Sequence, residues 1–300
     1  MMKHAYLIIA HANPFVLEKL IQLLDDERND IYIHIDKKST AINIGYISRL
    51  PQQSKIYFTE RMSTNWGDIS LVKTEFLLFE KAFANGGYSY YHLISGGDLP
   101  TKSQNYIHHF FEKYNGYEFI GFSNDMWDAQ RVNKIHLFSR YMRAEANEPL
   151  KRLARKIRLL FITFQDKIGY NYGSAMQGKF AFGSQWVSVT NAFVSDLLQE
   201  KGKILRFYRY ANCSDEIYKQ TFAINSHYKD KIFDSHDELH GCMRLMDWKR
   251  GRPYTFRVED YQEIMTSDKL FARKFDDRVD KQIVEMIFSA IMKQQNEEKE

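Results

Sequence analysis

Glu216 stands where a carboxylate could work as a base. In Asn212-Cys213-Ser214-Asp215-Glu216, Ser214 reads as a helix N-cap, which puts Asp215 and Glu216 in the first turn. Acidic side chains favour that position for dipole reasons alone. A capping box, however, would place its Glu at Ile217, so that motif does not explain Glu216. A helix N-terminus keeps a carboxylate ionised, as a general base requires. Three other clusters carry candidate ligand groups. His34-Ile35-Asp36-Lys37-Lys38 ends an apolar run, where an acid can hydrogen-bond a ribose or a base, or simply solvate a strand end. Ser95-Gly96-Gly97-Asp98-Leu99-Pro100 sets Asp98 beside glycines that permit close backbone approach, or forms a plain turn. Segments 243–256 and 269–277 gather Arg244, Lys249, Arg250, Arg252, Arg273 and Lys274 around Trp248 and Tyr254. Cations among aromatics suit a diphosphate beside a sugar, with a solvated basic face as the alternative. The chain has no Asp-x-Asp pair to chelate a metal, so fixed cations must stabilise any departing diphosphate.

The elements that must position these groups alternate. Apolar runs at 5–11, 30–36, 55–58 and 90–96 read as strands, and 180–190 as a fifth. Between and after them, 15–26, 70–83, 191–202 and the stretch from 280 onward carry helical spacing. Asn13-Pro14 marks the start of the first helix. Strands separated by helices favour a parallel sheet with right-handed crossovers. Ligands of such sheets bind beyond the carboxyl ends of the strands, where the polar clusters fall, including His11 after the first strand. Residues 148–169 form a basic amphipathic stretch. It could lie on an anionic membrane, or be a surface helix whose stems cover the core.

Composition excludes several classes. A chain of 300 residues with 44% hydrophobic and 27% charged residues is globular. A net charge of +4 is too balanced to indicate a nucleic-acid partner. The two cysteines, Cys213 and Cys242, lack metal-site spacing and read as reduced thiols. The start lacks signal-peptide character, and no apolar run approaches the roughly 18 residues of a membrane span. The expectation is a cytoplasmic protein, peripheral at the inner face of the membrane if the basic stretch engages it. One domain over 1–300 is expected, with a nucleotide-binding part over about 1–125, an acceptor and diphosphate part over about 126–280, and a terminal helix over about 278–298.

Seven segments in order give the chain a recognisable pattern: HIDKKS, NWGDISLVKTEFLLFEKA, LISGGDLPTKS, GSQWVSVT, CSDEIYKQT, MDWKRGRPY and LFARKFD. It resembles the core-2/I-branching enzyme family, glycosyltransferase family 14. The family includes branching β-1,6-N-acetylglucosaminyltransferases and peptide O-xylosyltransferases. The resemblance implies an α/β, GT-A-type fold with a Rossmann-like, mostly parallel central sheet flanked by helices. It also implies inverting transfer from a UDP-sugar, with no metal and no cofactor. Glu216 then falls on the base. Lys274, with Arg252 or Arg250, falls on the diphosphate site. Trp248 and Asp215 fall on the acceptor site, and His11, Asp36 and Asp98 on the nucleotide and donor site. UDP-N-acetylglucosamine leads as donor, ahead of UDP-xylose and UDP-galactose. The acceptor is a glycan. A lipid-linked or lipopolysaccharide glycan fits a membrane contact through 150–164. Animal members carry an anchor, a stem and disulfides not seen here, so the chain is expected to be a compact bacterial-type member. Two other classes remain: a glycoside hydrolase, which needs a second carboxyl group, and a non-catalytic glycan- or membrane-binding module on this scaffold.

Overall fold

The computed structural model describes residues 2–124, 128–142, 147–176 and 178–298. Its centre is a six-stranded sheet in the order β3-β2-β1-β4-β7-β6, made of β1 (His4–Ala10), β2 (Asn29–Ile35), β3 (Lys55–Phe58), β4 (Tyr90–Ser95), β6 (Phe119–Ile120) and β7 (Val187–Thr190). β1 runs parallel to β2 and β4, and β2 parallel to β3. β7 is antiparallel to both neighbours. A second, three-stranded sheet has the order β5-β9-β8, from β5 (Asp98–Pro100), β8 (Arg244–Met246) and β9 (Phe271–Arg273). This is the mixed α/β architecture expected, with a mostly parallel central sheet between helices.

Every residue of β1 is buried, because helices cover both faces of the sheet. Tyr6, Ile8 and Ala10 face one core with the Pro14–Leu24 and Lys281–Glu297 helices. Ala5, Leu7 and Ile9 face the other with the Ser70–Asn85 and Asn191–Gln199 helices. The two-residue period of a strand thus divides one apolar run between two layers. β2 alternates in sequence but is also buried throughout. Its polar members find partners inside: Asp30 accepts from Tyr88 Oη and Lys3 Nζ, and the His34 ring bonds Thr59 Oγ1 at 2.8 Å.

Several element boundaries differ from the sequence reading. Only Val187–Thr190 of the 180–190 run joins a sheet. Phe180 to Trp186 is extended chain that bonds sideways instead, Gly183 N–H to the Glu216 carbonyl and Ala181 N–H to Thr221 Oγ1. Asp98 lies in a short strand rather than a loop. The boundary expected near 125 and 126 lies outside the described residues. The Pro14–Leu24 helix starts at Asn13-Pro14 as read, and the last helix, Lys281–Glu297, is capped by Asp280 accepting from Ile283 N–H.

Ile8, at the middle of the central strand, is wholly buried. Ile8→Ala should lower stability by about 2–5 kcal/mol in urea unfolding. A loss below about 1 kcal/mol would mean that β1 is not the packed centre of the sheet.

Candidate functional site

The carboxyl ends of β1, β2 and β4 open into a cleft of about 540 Å³. His11 follows β1, Asp36 follows β2, and Ser95 ends β4, so three neighbouring strands deliver polar groups to one edge. Asp36 is buried and held: its carboxylate accepts from Thr64 Oγ1 and from Lys38 N–H, with Lys38 Nζ at 3.7 Å. His11 has its pKa lowered from 6.5, first by loss of water and then by Lys274, Arg273 and Lys38, against the opposing pull of Asp36. Its ring is therefore neutral near pH 7. Trp66 and Trp186 form apolar walls suited to a planar base or a sugar face.

The cleft is also lined by Arg273 and Lys274. They arrive at the end of β9, which pairs antiparallel with β5 so that Arg273 is opposite Asp98. Arg273 Nη1 donates to Asp98 Oδ1 at 2.7 Å, and the guanidinium lies 4.4 Å over the Trp186 ring. Asp98 is fully buried and also accepts from Ser95 N–H at 2.9 Å. Burial pushes its carboxyl above the usual range, and Arg273 pulls it back. Lys274 borders both this cleft and a smaller recess beside Gly96 and Gly97.

Glu216 sits at the end of a short 3-10 turn, Ser214–Glu216, entered through Cys213 in the left-handed region at φ 51°. Its Oε2 accepts from Arg131 Nη1 at 2.8 Å, and both side chains are about a third exposed at 30% and 27%. The turn rests on a buried ion pair. Lys219 Nζ lies 2.5 Å from Glu75 Oε2, and neither side chain has any exposure. Lys219 also donates to the Asp215 carbonyl at 2.9 Å. Tyr218 Oη donates to Glu75 Oε2, and Gln185, a cleft residue, donates to Glu75 Oε1 at 2.8 Å. On the other side, Cys213 N–H donates to the Gly67 carbonyl, next to Trp66 of the cleft wall. Gly67, at φ 74°, has the Asn212 side chain 3.3 Å from where a Cβ would stand. A side chain there would meet both strain and crowding.

Several expected site residues are placed elsewhere. Arg250 is bound by three carboxylates, Asp247, Asp260 and Glu263, and stacks 4.2 Å from Tyr254, so it braces its own loop. Arg252 is exposed and does not border the cleft. The guanidinium that stands with Lys274 belongs to Arg273. Asp98 reaches no cleft surface and orients that guanidinium instead. Ser214 does not cap a helix with its side chain; it lies inside the 3-10 turn, and its hydroxyl is buried without a partner among the described residues. Asp215 is buried rather than open to an acceptor, and Trp248 is 51% exposed on the loop after β8, away from the cleft. Arg244, one of the clustered cations, is buried and donates to Cys242 O and Ser188 Oγ. The sequence reading passed over Arg131, Glu75 and Lys219. Glu75 had a signal, because it falls on the apolar stripe of its helix with Val72, Phe76 and Phe79. Among the described residues no group of three or more His, Cys, Asp or Glu is arranged to hold a metal ion.

A family model described as Core-2/I-Branching enzyme matches residues 4–269. Xylosyltransferase 2 from Canis lupus familiaris is 22% identical over 303 residues, covering 94% of this chain and 33% of that protein. The Rattus norvegicus and Homo sapiens proteins of the same name match to the same extent. The chain therefore spans about a third of the length of these curated relatives. The solved structure of the mannosyltransferase Ktr4p from S. cerevisiae aligns over 71% of this chain and 67% of that one, at 14% identity and a TM-score of 0.33.

Removing one member of the Glu75–Lys219 pair should be costly. Glu75→Leu or Lys219→Met alone should each lose about 3–5 kcal/mol, and the double variant should recover most of it. Additive losses in urea unfolding would mean that the two side chains are not coupled. Asp215 gives a pH test. Burial, then the neighbouring Glu216 and Glu75 charges, raise its pKa from 3.8 to about 8. The folded chain then holds a proton that the unfolded chain has released between those two values. Folding stability contributed by this group is present below the unfolded value and falls as pH rises through that window. Asp215→Asn should therefore gain stability relative to the native protein as pH goes from about 4 to about 8. A pH-independent difference in melting temperature would contradict the burial of an uncharged Asp215.

Proposed function

The chain belongs to the core-2/I-branching enzyme family, and on that footing we propose that it transfers a sugar from a UDP-sugar to a hydroxyl of a glycan acceptor, inverting the anomeric carbon. The observation that carries this reading is the pairing of two features around one cleft. Arg273 and Lys274 line it together with the polar strand ends, and the turn bearing Glu216, which does not itself line it, is braced against its wall through Glu75–Gln185 and Gly67–Cys213.

In this reaction Glu216 takes the proton of the acceptor hydroxyl as that oxygen bonds to the anomeric carbon. The bond from that carbon to the diphosphate oxygen breaks, and UDP leaves with the electron pair. A single displacement from the opposite face inverts configuration. Negative charge grows on the leaving oxygen mainly in the transition state, so Arg273 and Lys274 favour the step itself more than ground-state binding. Those cations supply the charge that a metal provides elsewhere, which makes the reaction metal-independent in this proposal. Asp36 and His11 suit the nucleoside end, at the carboxyl ends of the strands.

For the donor, N-acetylglucosamine follows from the family resemblance, and xylose from the names of the curated relatives. A lipid-linked or lipopolysaccharide glycan is the proposed acceptor. A hydrolase would need a second carboxyl group across the sugar. The neighbouring acid, Asp215, is buried.

The test is transfer and thermal stability with UDP-N-acetylglucosamine, UDP-xylose and UDP-galactose, each in EDTA and in Mn²⁺. A nucleotide at about 100 times its dissociation constant should stabilise the protein by roughly 2.7 kcal/mol in EDTA. Glu216→Gln should keep that shift and lose about 10²–10⁴-fold in turnover. Lys274→Ala should lose transition-state stabilisation of about 3–4 kcal/mol. Near-normal turnover by Glu216→Gln would remove it as the base. Stabilisation that requires Mn²⁺ would remove the metal-free account.

A further inference from the structure

The Glu148–Lys167 helix carries an apolar stripe that stays exposed among the described residues. Of its 20 residues only Ala154 and Gln165 are buried. Those two lie with Arg158 on the side facing the protein. There Gln165 bonds both the N–H and the carbonyl of Ile135, and Arg158 Nη2 donates to His136 Nδ1 at 2.8 Å. Leu150, Leu153, Ile157, Leu160 and Phe164 recur at three- and four-residue steps and are 46%, 55%, 39%, 65% and 54% exposed. That spacing lines them along one face of a helix. Ile168, 58% exposed, continues the line just beyond the last turn.

The charge of this helix selects what covers it. It holds six basic and two acidic residues, whereas the whole chain has 42 and 38. The helix excess of four equals that of the chain, so everything outside it is neutral overall. Arg152, Lys156 and Lys167, all exposed, border the stripe on the side away from the protein. A second copy of the helix would bring these cations against their like. An anionic surface with an apolar interior satisfies both the stripe and its border. With six cations the helix is unsuited to cross a bilayer, and no described helix is long and apolar enough to do so.

We propose that the Glu148–Lys167 helix lies flat in the interface of an anionic lipid bilayer, with Leu153, Leu160 and Phe164 in the acyl boundary and Arg152, Lys156 and Lys167 on lipid phosphates. At 1.5 Å per residue it offers a contact about 30 Å long. The helix is fastened to residues 134–136, and Arg131 of the same stretch pairs with Glu216. The bilayer then adjoins the segment that holds Glu216, and a lipid-linked glycan is delivered from it. This last step rests on the transferase reading, whereas the lipid contact does not.

The experiment is flotation of the full chain with vesicles of phosphatidylcholine alone, or with about one third phosphatidylglycerol, at low and high salt. No sugar nucleotide is added, so the outcome is independent of the transfer assay. The native chain should float with anionic vesicles, weakly with neutral ones, and less at high salt. Leu160→Glu with Phe164→Glu, and separately Arg152→Glu with Lys156→Glu, should each lower binding about tenfold or more. Both pairs are on the surface, so melting temperature should hold. Absence of flotation, equal flotation with neutral vesicles, or retention by either folded variant would overturn the proposal. So would a native dimer that the Leu160→Glu, Phe164→Glu variant turns into monomer.

Discussion

Two opposite charges with no access to water, Glu75 and Lys219, tie the Ser214–Glu216 turn to the rest of the protein. Taking such a pair out of water costs several kcal/mol per ion, and the attraction offsets this only when remaining polar atoms are also satisfied. Here they are: Glu75 accepts from Tyr218, Lys219 and Gln185, and Lys219 donates also to the Asp215 carbonyl. Together those bonds join four segments. The Ser70–Asn85 helix, the Ser214–Glu216 turn, the Tyr218–Ile224 helix and the chain leading into β7 are held together through two side chains. An apolar pair of similar volume could fill the same space without fixing those directions. What the ions contribute is orientation of Glu216 and of the cleft wall at Gln185.

A second charged pair does the same for Arg273. Asp98 is buried in β5 and Arg273 lies opposite it in β9, 175 residues later in the chain. Their bond swings the guanidinium across Trp186 and into the cleft. Without the small second sheet, β9 would have no register, and Arg273 and Lys274 would hang from an irregular tail. The sheet of the N-terminal half supplies a floor of strand ends, and the C-terminal segment closes over it. Neither half forms the cleft alone.

This dependence on distant partners sets what was legible in the sequence. The buried strands were readable because burial on both faces demands uninterrupted apolar runs, as in Tyr6-Leu7-Ile8-Ile9. The first helix start was readable because Asn13-Pro14 acts locally. The run from Phe180 to Trp186 misled because its aromatics pack on the core from extended chain whose N–H groups bond to Glu216 O and Thr221 rather than to a ladder. Apolar content alone does not separate those cases. Arg250 looked as available as Arg273, since local spacing says nothing of Asp260 and Glu263 folding back onto it. Asp98 was marked as a group near the ligand. It is buried and bonds Arg273, which lines the cleft. Glu75 was visible as an acid on an apolar stripe, a position that requires a buried partner.

The charge balance around the cleft sets Lys274 apart from the other charged groups. Arg273 is neutralised by Asp98, and Lys38 by Asp36 with help from the Thr64 carbonyl. Glu216 has Arg131, and Asp215 beside it is driven toward its uncharged form. Each of these charges is already compensated from the protein side, so a ligand gains from their direction more than from their sign. Lys274 differs. No hydrogen bond or salt bridge ties its ammonium among the described residues, and it stands where both the cleft and the recess at Gly96 and Gly97 meet. Its charge acts through space instead, helping to hold Asp276 of the same recess below the usual carboxylate range and, with Arg273, opposing protonation of His11. The glycine pair serves packing there: a Cβ on Gly96 would meet Ala10 at 3.0 Å, and one on Gly97 the Phe275 carbonyl at 3.2 Å, so both glycines let the end of β4 pack closely on its neighbours.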